Sequence, residues 1–389
     1  MKKVVLAYSG GLDTSVAIRW LKNKNYEVIA YMADVGQEKT PQAAIARAKK
    51  AGALKVIVKD LKTKFAEDYL WPALKMGALY EGRYALPTAL SRPLIAAEQV
   101  AVAHAEGARA VAHGCTGKGN DQVRFEVTIQ NLDSSLEIIA PLREWEFKSR
   151  EEEIDYAHAH HIPIDVTKKS SYSIDKNIWG VSIESGVLED PNTEPPADCY
   201  QWTRGAETRK LKDHVISIGF KSGIPVALNG KFLKPLDLIQ TLNQVGSEYG
   251  IGRMDMIENR LVGIKSREVY EAPAATILLQ AHQDLESLVL DRELLHYKAG
   301  MAPRYAELVY YGLWFTPLRE AMDAFVQKTQ KNVSGEVRVV LRKFSSQVVG
   351  RKSAHSLYKE NLATYGKKDA FKHELAKGFI DLWALPYRK

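Results

Sequence analysis

Along the first 165 or so positions, short apolar bursts alternate with stretches of helical periodicity. Val4 to Tyr8 is a brief, unbroken apolar run that stops at a glycine turn, the pattern of a strand covered on both faces. Thr14 to Leu21 predicts a helix, with Asp13 or Thr14 capping its start. Glu27 to Val35 is a second strand. Thr40-Pro41 opens a helix running to Lys50, with proline in the first turn, and Lys55 to Val58 is a third strand. Arg92-Pro93 opens another helix that ends near Gly107. Arg109 to His113 and Leu136 to Ala140 complete the strands. This alternation predicts an α/β fold: a doubly wound parallel sheet, Rossmann-like, with helices on both faces. Ligands on such sheets sit beyond the C-terminal strand ends. Gly10-Gly11 and Gly114 to Gly119 both fall at such ends.

After about residue 165 the rhythm changes. Asp190 to Pro196 is a loop. Val215 to Phe220 and Pro225 to Leu233 read as strands, the second with a tight turn at Asn229-Gly230. Pro235 to Tyr249, Ala272 to Leu290 and Pro303 to Lys328 are helical, and Val337 to Val349 returns to strands. The expected organisation is a nucleotide-binding domain over 1–165, an α+β domain over 166–360 and a C-terminal oligomerisation helix within 361–389. Phe371, Leu375, Phe379 and Leu382 recur at helical spacing in that last segment. Such a helix either folds back on its own core or docks on a neighbouring subunit.

The chain has 389 residues, 46% hydrophobic and 26% charged, as in a globular enzyme. Only Cys115 and Cys199 are present, too few for a disulfide framework, so a reducing, cytoplasmic setting is expected. The start does not read as a secretory signal. No stretch reaches the roughly 18 apolar residues of a membrane span. The net charge of +7 invites a nucleic-acid partner, but thirteen basic and five acidic residues from Lys331 onward account for all of it. The body that carries the chemistry is near neutral, and no nucleic-acid or membrane partner is expected.

Ser9-Gly10-Gly11 between a strand and a helix, followed by Asp13-Thr14-Ser15, forms an anion cradle. Unpaired N–H groups at a helix start, with its dipole, favour negative charge. Glycines let the backbone come close to phosphate oxygens, and three hydroxyls add donors. Asp13 is assigned to Mg²⁺ coordination or to turn geometry. The turn is neither the dinucleotide Gly-x-Gly-x-x-Gly nor the Walker pattern. Ala7 to Ser15 resembles the pyrophosphate loop of the N-type ATP pyrophosphatases. That resemblance implies cleavage of ATP between the α and β phosphates and adenylation of a substrate oxygen.

His113 to Glu126 is denser still. Glycines at 114, 117 and 119 make a donor-rich turn, and Asn120 or Asp121 is expected to cap the helix after it. Asn120 and Arg124 are four apart on one face. An amide and a guanidinium so placed suit a small zwitterion: Arg124 for a carboxylate, Asn120 and Asp121 for an amine.

With the first loop, this stretch resembles the argininosuccinate synthase family, and the resemblance runs along most of the chain. It includes Ser173 in Ser171-Tyr172-Ser173-Ile174-Asp175, Glu258 in Ile257-Glu258-Asn259-Arg260, and Tyr270. The family joins citrulline to aspartate at the expense of ATP, giving argininosuccinate, AMP and pyrophosphate, as a homotetramer. The resemblance implies that Ala7, Tyr8, Ser9, Gly10, Gly11, Leu12, Asp13, Thr14, Ser15, Ala33 and Gly114 hold ATP. Thr116, Asn120 and Asp121 would hold aspartate. Tyr84, Asn120, Arg124, Ser173, Ser182, Glu258 and Tyr270 would hold citrulline. Several members have a serine where this chain has Ala89, which leaves one citrulline contact open. Asp121 is the expected catalytic residue, orienting the aspartate amine and assisting its deprotonation.

Other signals read more simply. His158, His160 and His161 lack partners for a metal and read as surface. Cys115 reads as a small filler. Tyr305, Tyr310, Tyr311, Trp314 and Phe315 read as helix core. A tRNA-thiolating enzyme of the same loop superfamily is the rival reading, without the paired cysteines such enzymes use. A nucleotide-sensing module would leave the second glycine turn unexplained.

Overall fold

The computed structural model describes residues 2–37, 41–164 and 172–388. Thr40 and Ser171 lie outside them, as does the expected boundary between 165 and 166. The first sheet contains β1 (Lys2–Ala7), β2 (Tyr26–Asp34), β3 (Lys55–Asp60), β4 (Ala110–His113) and β5 (Glu137–Ile139). Its order is β3-β2-β1-β4-β5, all parallel, so the chain winds outward from β1 in both directions. The switch between the two windings lies at β1 and β4. In the register, Ala7 pairs with Tyr31 on one side and with His113 on the other. Both glycine turns therefore leave neighbouring strands at the same sheet edge.

The first helix runs Leu12–Asn23 and covers one sheet face with Val16, Ala17, Ile18, Trp20 and Leu21. The helix Pro87–Glu106 covers the other. Its start is a correction: Arg92-Pro93 lies inside it, and Pro87 supplies the first-turn proline after a left-handed Leu86 (φ +64°). Gln99, fully buried on this helix, donates through Nε2 to the carbonyls of Val5 and Ala112, both at 2.8 Å. One amide thus staples β1 and β4 from below.

From residue 172 on, the described chain forms two antiparallel sheets. The four-stranded one contains β6 (Ser173–Asn177), β7 (Gly180–Glu184), β11 (Arg253–Asn259) and β12 (Lys265–Glu271), in the order β11-β12-β7-β6. The five-stranded one contains β8 (His214–Lys221), β9 (Ile224–Leu228), β10 (Lys231–Phe232), β13 (Gly335–Arg342) and β14 (Ser345–Lys352). The β6–β7 hairpin is tied to the part of the chain that carries the parallel sheet. Asn177 Nδ2 donates to Pro87 O at 2.8 Å, Trp179 Nε1 to Ala85 O at 3.0 Å, and Ile178 N–H to Val35 O at 2.9 Å. Gly36 (φ +103°) permits that approach, because a Cβ there would lie 2.4 Å from Ile178 Cγ2.

The helix expected over Pro303 to Lys328 is two helices, Arg292–Tyr310 and Pro317–Thr329. Asp291 caps the first one by accepting from Leu294 N–H at 3.0 Å, and left-handed Gly312 (φ +76°) breaks the run. The C-terminal helix Glu374–Trp383 buries none of its residues. Leu375 is 64%, Phe379 63% and Trp383 66% exposed, so its apolar face does not fold back on the chain's own core.

Candidate active site

The first turn is shaped by its hydroxyls. Ser15 Oγ donates to Gly11 O at 2.6 Å, and Tyr8 OH meets Ser15 Oγ at 3.1 Å and donates to Ala44 O at 3.1 Å. Ser9 Oγ accepts from Gly11 N–H at 3.3 Å and contacts Thr14 Oγ1 at 3.1 Å. Gly10 is left-handed (φ +80°), and a Cβ there would lie 2.8 Å from Ala44 Cβ. Only glycine fits. Neither Asp13 nor Thr14 caps the helix. Gly11 stands at the cap with no side-chain hydrogen bond, so the first N–H groups are left for a ligand.

Glu153, on the helix Arg150–Ala159, lies against Asp13. Burial and the neighbouring Asp13 carboxyl push Glu153 up to about 7. Its Oε2 is buried without a partner. Among the described residues no group of three or more metal-ligating side chains occurs, the histidines at 158, 160 and 161 included.

The second turn abuts the first. A Cβ on Gly114 would lie 2.7 Å from Thr14 Cγ2, so the backbone of the second turn packs on the Thr14 side chain only because residue 114 lacks one. A closed ring of hydrogen bonds holds this turn. His113 Nδ1 accepts from Cys115 N–H at 3.3 Å, and His113 Nε2 then donates to Glu126 Oε1 at 3.1 Å. Arg143 pairs with Glu126 at 2.7 Å and donates to Gln122 Oε1 at 3.0 Å. Gln122 returns to the turn through Gly117 O at 2.5 Å and Gly119 O at 3.3 Å. Gln122 and Glu126 lie within the dense stretch His113 to Glu126 but had no role expected of them, and Arg143 lies outside any motif. Thr116 stands exposed at the tip, and Cys115 is half-buried.

Asn120 does not cap the helix Asp121–Leu132. Its Oδ1 accepts from Leu261 N–H at 2.9 Å, and its Nδ2 donates to Tyr310 OH at 2.8 Å. Asp121 is held by two guanidiniums, Arg92 Nε at 2.8 Å and Arg124 Nη1 at 2.9 Å. Burial pushes its carboxyl up, but Arg92 and Arg124 outweigh this and hold it below the usual carboxylate range. It stays ionised and accepts a proton poorly, which argues against the expected part in deprotonation.

Asn120 and Arg124 do share a face, and both meet Tyr310. Arg124 Nε donates to Tyr310 O at 2.9 Å, and its guanidinium sits 4.8 Å from the ring centre. Tyr310 OH in turn donates to Glu258 Oε1 at 2.5 Å, and Tyr270 OH to Glu258 Oε2 at 2.7 Å. Burial pushes the Glu258 carboxyl up, and the two phenols only partly offset this. Tyr84 stacks on Tyr270 at 4.2 Å. Tyr310 is core, as expected, yet its hydroxyl is the hub joining Asn120 to Glu258. Ser182 pairs in register with both Tyr270 and Asp175, and its Oγ is buried without a partner. Ser173 is exposed at the start of β6. Ala33 lies on β2 two residues beyond Tyr31, the partner of Ala7. Ala89 is fully buried, and the Ser91 hydroxyl is spent on Thr88 O at 3.0 Å, so neither offers a free hydroxyl.

Residues 3–163 match the family model described as arginosuccinate synthase N-terminal HUP domain, and residues 172–389 match the model described as arginosuccinate synthase C-terminal domain. The chain belongs to the argininosuccinate synthase family. It is 54% identical to the argininosuccinate synthase of Aquifex aeolicus over 389 residues, covering 100% of this chain and 97% of that protein. Against the argininosuccinate synthase of Chlorobium phaeobacteroides (strain DSM 266) it is 54% identical over 385 residues, 99% of this chain and 96% of that protein. The chain is thus an ATP-dependent ligase, and the tRNA-thiolating reading gives way. A solved 4-thiouridine synthetase–RNA complex with bound ATP aligns at 18% identity and a TM-score of 0.31, over 41% of this chain and 40% of that one. That likeness is too slight to carry an argument.

Proposed function

We propose that the chain condenses citrulline with aspartate, consuming ATP and releasing AMP and pyrophosphate, at the edge where β1 and β4 end. The contact of Gly114 with Thr14 carries the reading, because it brings the phosphate cradle and the amino-acid turn to one place. The ureido carbon of citrulline is a poor electrophile. Attack of its oxygen on the α-phosphorus converts that oxygen into part of an AMP leaving group, which the aspartate amine then displaces. No covalent nucleophile is needed, so the residues act by placement and charge.

Ala7 to Ser15, Ala33 and Gly114 line the ATP subsite. Thr116, Asn120 and Asp121 receive aspartate, with Asp121, held as a carboxylate by Arg92 and Arg124, anchoring the ammonium before it loses its proton. Tyr84, Asn120, Arg124, Ser173, Ser182, Glu258 and Tyr270 receive citrulline. The unpartnered Ser182 Oγ supports that assignment, since a buried hydroxyl with no partner is costly. Asp13 and Glu153 would hold Mg²⁺ together with phosphate oxygens. Two carboxylates with one orphaned oxygen fit a cation that takes few protein ligands. When bound, Mg²⁺ offsets the charge of the departing pyrophosphate.

The enzyme works in the cytoplasm as a homotetramer, with the apolar face of the helix Glu374–Trp383 packed on a second copy. The deciding assay is pyrophosphate release with each amino acid withheld in turn. Release should need citrulline and rise with aspartate, and citrulline-independent release would overturn the reading.

A further inference from the structure

Arg92 has no role in the site as assigned, yet it lies between the two amino-acid subsites. It projects from the helix Pro87–Glu106 of the first domain. Its Nε donates to Asp121 Oδ2 at 2.8 Å, and its Nη2 donates to Asp175 on β6 of the second domain. Asp121 opens the helix after the second glycine turn. Asp175 pairs in register with Ser182, and Ser182 with Tyr270. One guanidinium therefore bonds to the carboxylate proposed to receive aspartate and to the strand proposed to receive citrulline.

The charges favour a bridge over a single pair. Arg92 and Arg124 face Asp121 and Asp175, so two cations meet two anions and the group is neutral. Arg92 is only 16% exposed, so solvent screens it weakly. A guanidinium has a fixed fork of donors and can serve two carboxylates at set angles, whereas an ammonium is a compact point charge. The two bonds span the junction of the domains, and the aspartate amine must reach the activated carbon of citrulline across that junction. A misplacement of about 1 Å there costs on the order of 100-fold.

We propose that Arg92 is a positioning residue that sets the distance between the aspartate and citrulline subsites by bridging Asp121 and Asp175. This rests on the assignment of Asp121 to aspartate and of β6–β7 to citrulline. The test uses the full-length enzyme and two measurements. Citrulline-dependent exchange of labelled pyrophosphate into ATP, without aspartate, reports adenylation. Argininosuccinate formation reports the whole reaction.

In Arg92→Lys, exchange should stay within about threefold of wild type while the KM for aspartate rises about tenfold or more. Asp175→Asn, which leaves Arg92 and Asp121 in place, should move the same parameter in the same direction. The double variant should be no worse than the worse single, because both break one bridge. An unchanged aspartate KM in Asp175→Asn overturns the proposal, as does an equal fall in exchange and ligation. Multiplying effects in the double variant also overturn it. Should Arg92→Lys fail to fold, Asp175→Asn decides alone, since that side chain is 38% exposed. Absence of citrulline-dependent exchange in the wild-type enzyme would instead sink the underlying functional reading.

Discussion

The turn Ala7 to Ser15 and the hydrogen-bonded cluster around Glu258 are built in opposite ways. The turn is local. Nine consecutive residues, Ala7 to Ser15, fold on themselves through hydroxyl-to-backbone bonds and one left-handed glycine. The Glu258 cluster is assembled from four separate stretches of the chain: Tyr84, the Asn120 and Arg124 pair, Tyr270 and Tyr310. A local site fails when its backbone is strained. An assembled site fails when one shared partner is lost.

The sharpest way to break this contrast is Gly114→Ala, which places a methyl against Thr14 and parts the two turns. It should lower kcat/KM for ATP by about 100-fold or more with the far-ultraviolet spectrum unchanged. Wild-type ATP kinetics in this variant would show that the turns need not touch.

Next comes Glu258→Gln, which removes the carboxylate that accepts from both phenols. The expected effect is a rise of about 10- to 100-fold in the KM for citrulline, with the KM for ATP little changed. Tyr310→Phe should give a smaller rise, about tenfold, because Asn120 and Glu258 each lose one partner but keep others. Parallel losses for ATP and citrulline would mean that the two regions are one unit.

A pH measurement probes the charge beside the Glu258 cluster. Burial and the nearby Glu184 push Glu268 up to about 8, with Arg260 opposing. The folded state thus holds a proton that the unfolded chain releases near the ordinary value, so stability falls as pH rises from about 5 to about 8. Glu268→Gln should flatten the decline of the melting temperature over that interval. An identical slope in both proteins would remove Glu268 as its source.

The smallest effect on chemistry is expected from ending the chain before Asn361. Light scattering should report a smaller assembly, with kcat per chain within about twofold, because the exposed helix touches neither subsite. An unchanged mass would remove the helix from assembly.

The parts of the fold that could be read along the chain are those with strong local signals. The five parallel strands announced themselves because each centres on an apolar run, clearest in β1 and β4, that gives way to polar or turn residues. The four-stranded sheet did not. Its strands Arg253–Asn259 and Lys265–Glu271 carry charges on alternate and even adjacent positions, and Arg267 spends its charge on Asp255 across the pair at 2.7 Å. Periodicity is silent where paired charges, the 7% exposed Arg267 among them, occupy covered positions of a strand. Proline misled twice, at Pro93 and Pro303, because tertiary packing tolerates it within a helix whose true start is set upstream by Pro87 or Asp291.

By itself the sequence determined the first turn, the second glycine turn and the doubly wound order, since glycine conformations, hydroxyl spacing and strand hydrophobicity are local properties. Only the tertiary structure decided that Tyr310 links Asn120 to Glu258, that Arg92 and Arg124 keep Asp121 ionised, and that the last helix leaves its apolar face open. Those outcomes depend on which buried charges and hydroxyls become neighbours, and neighbourhood across long stretches of chain is written in packing.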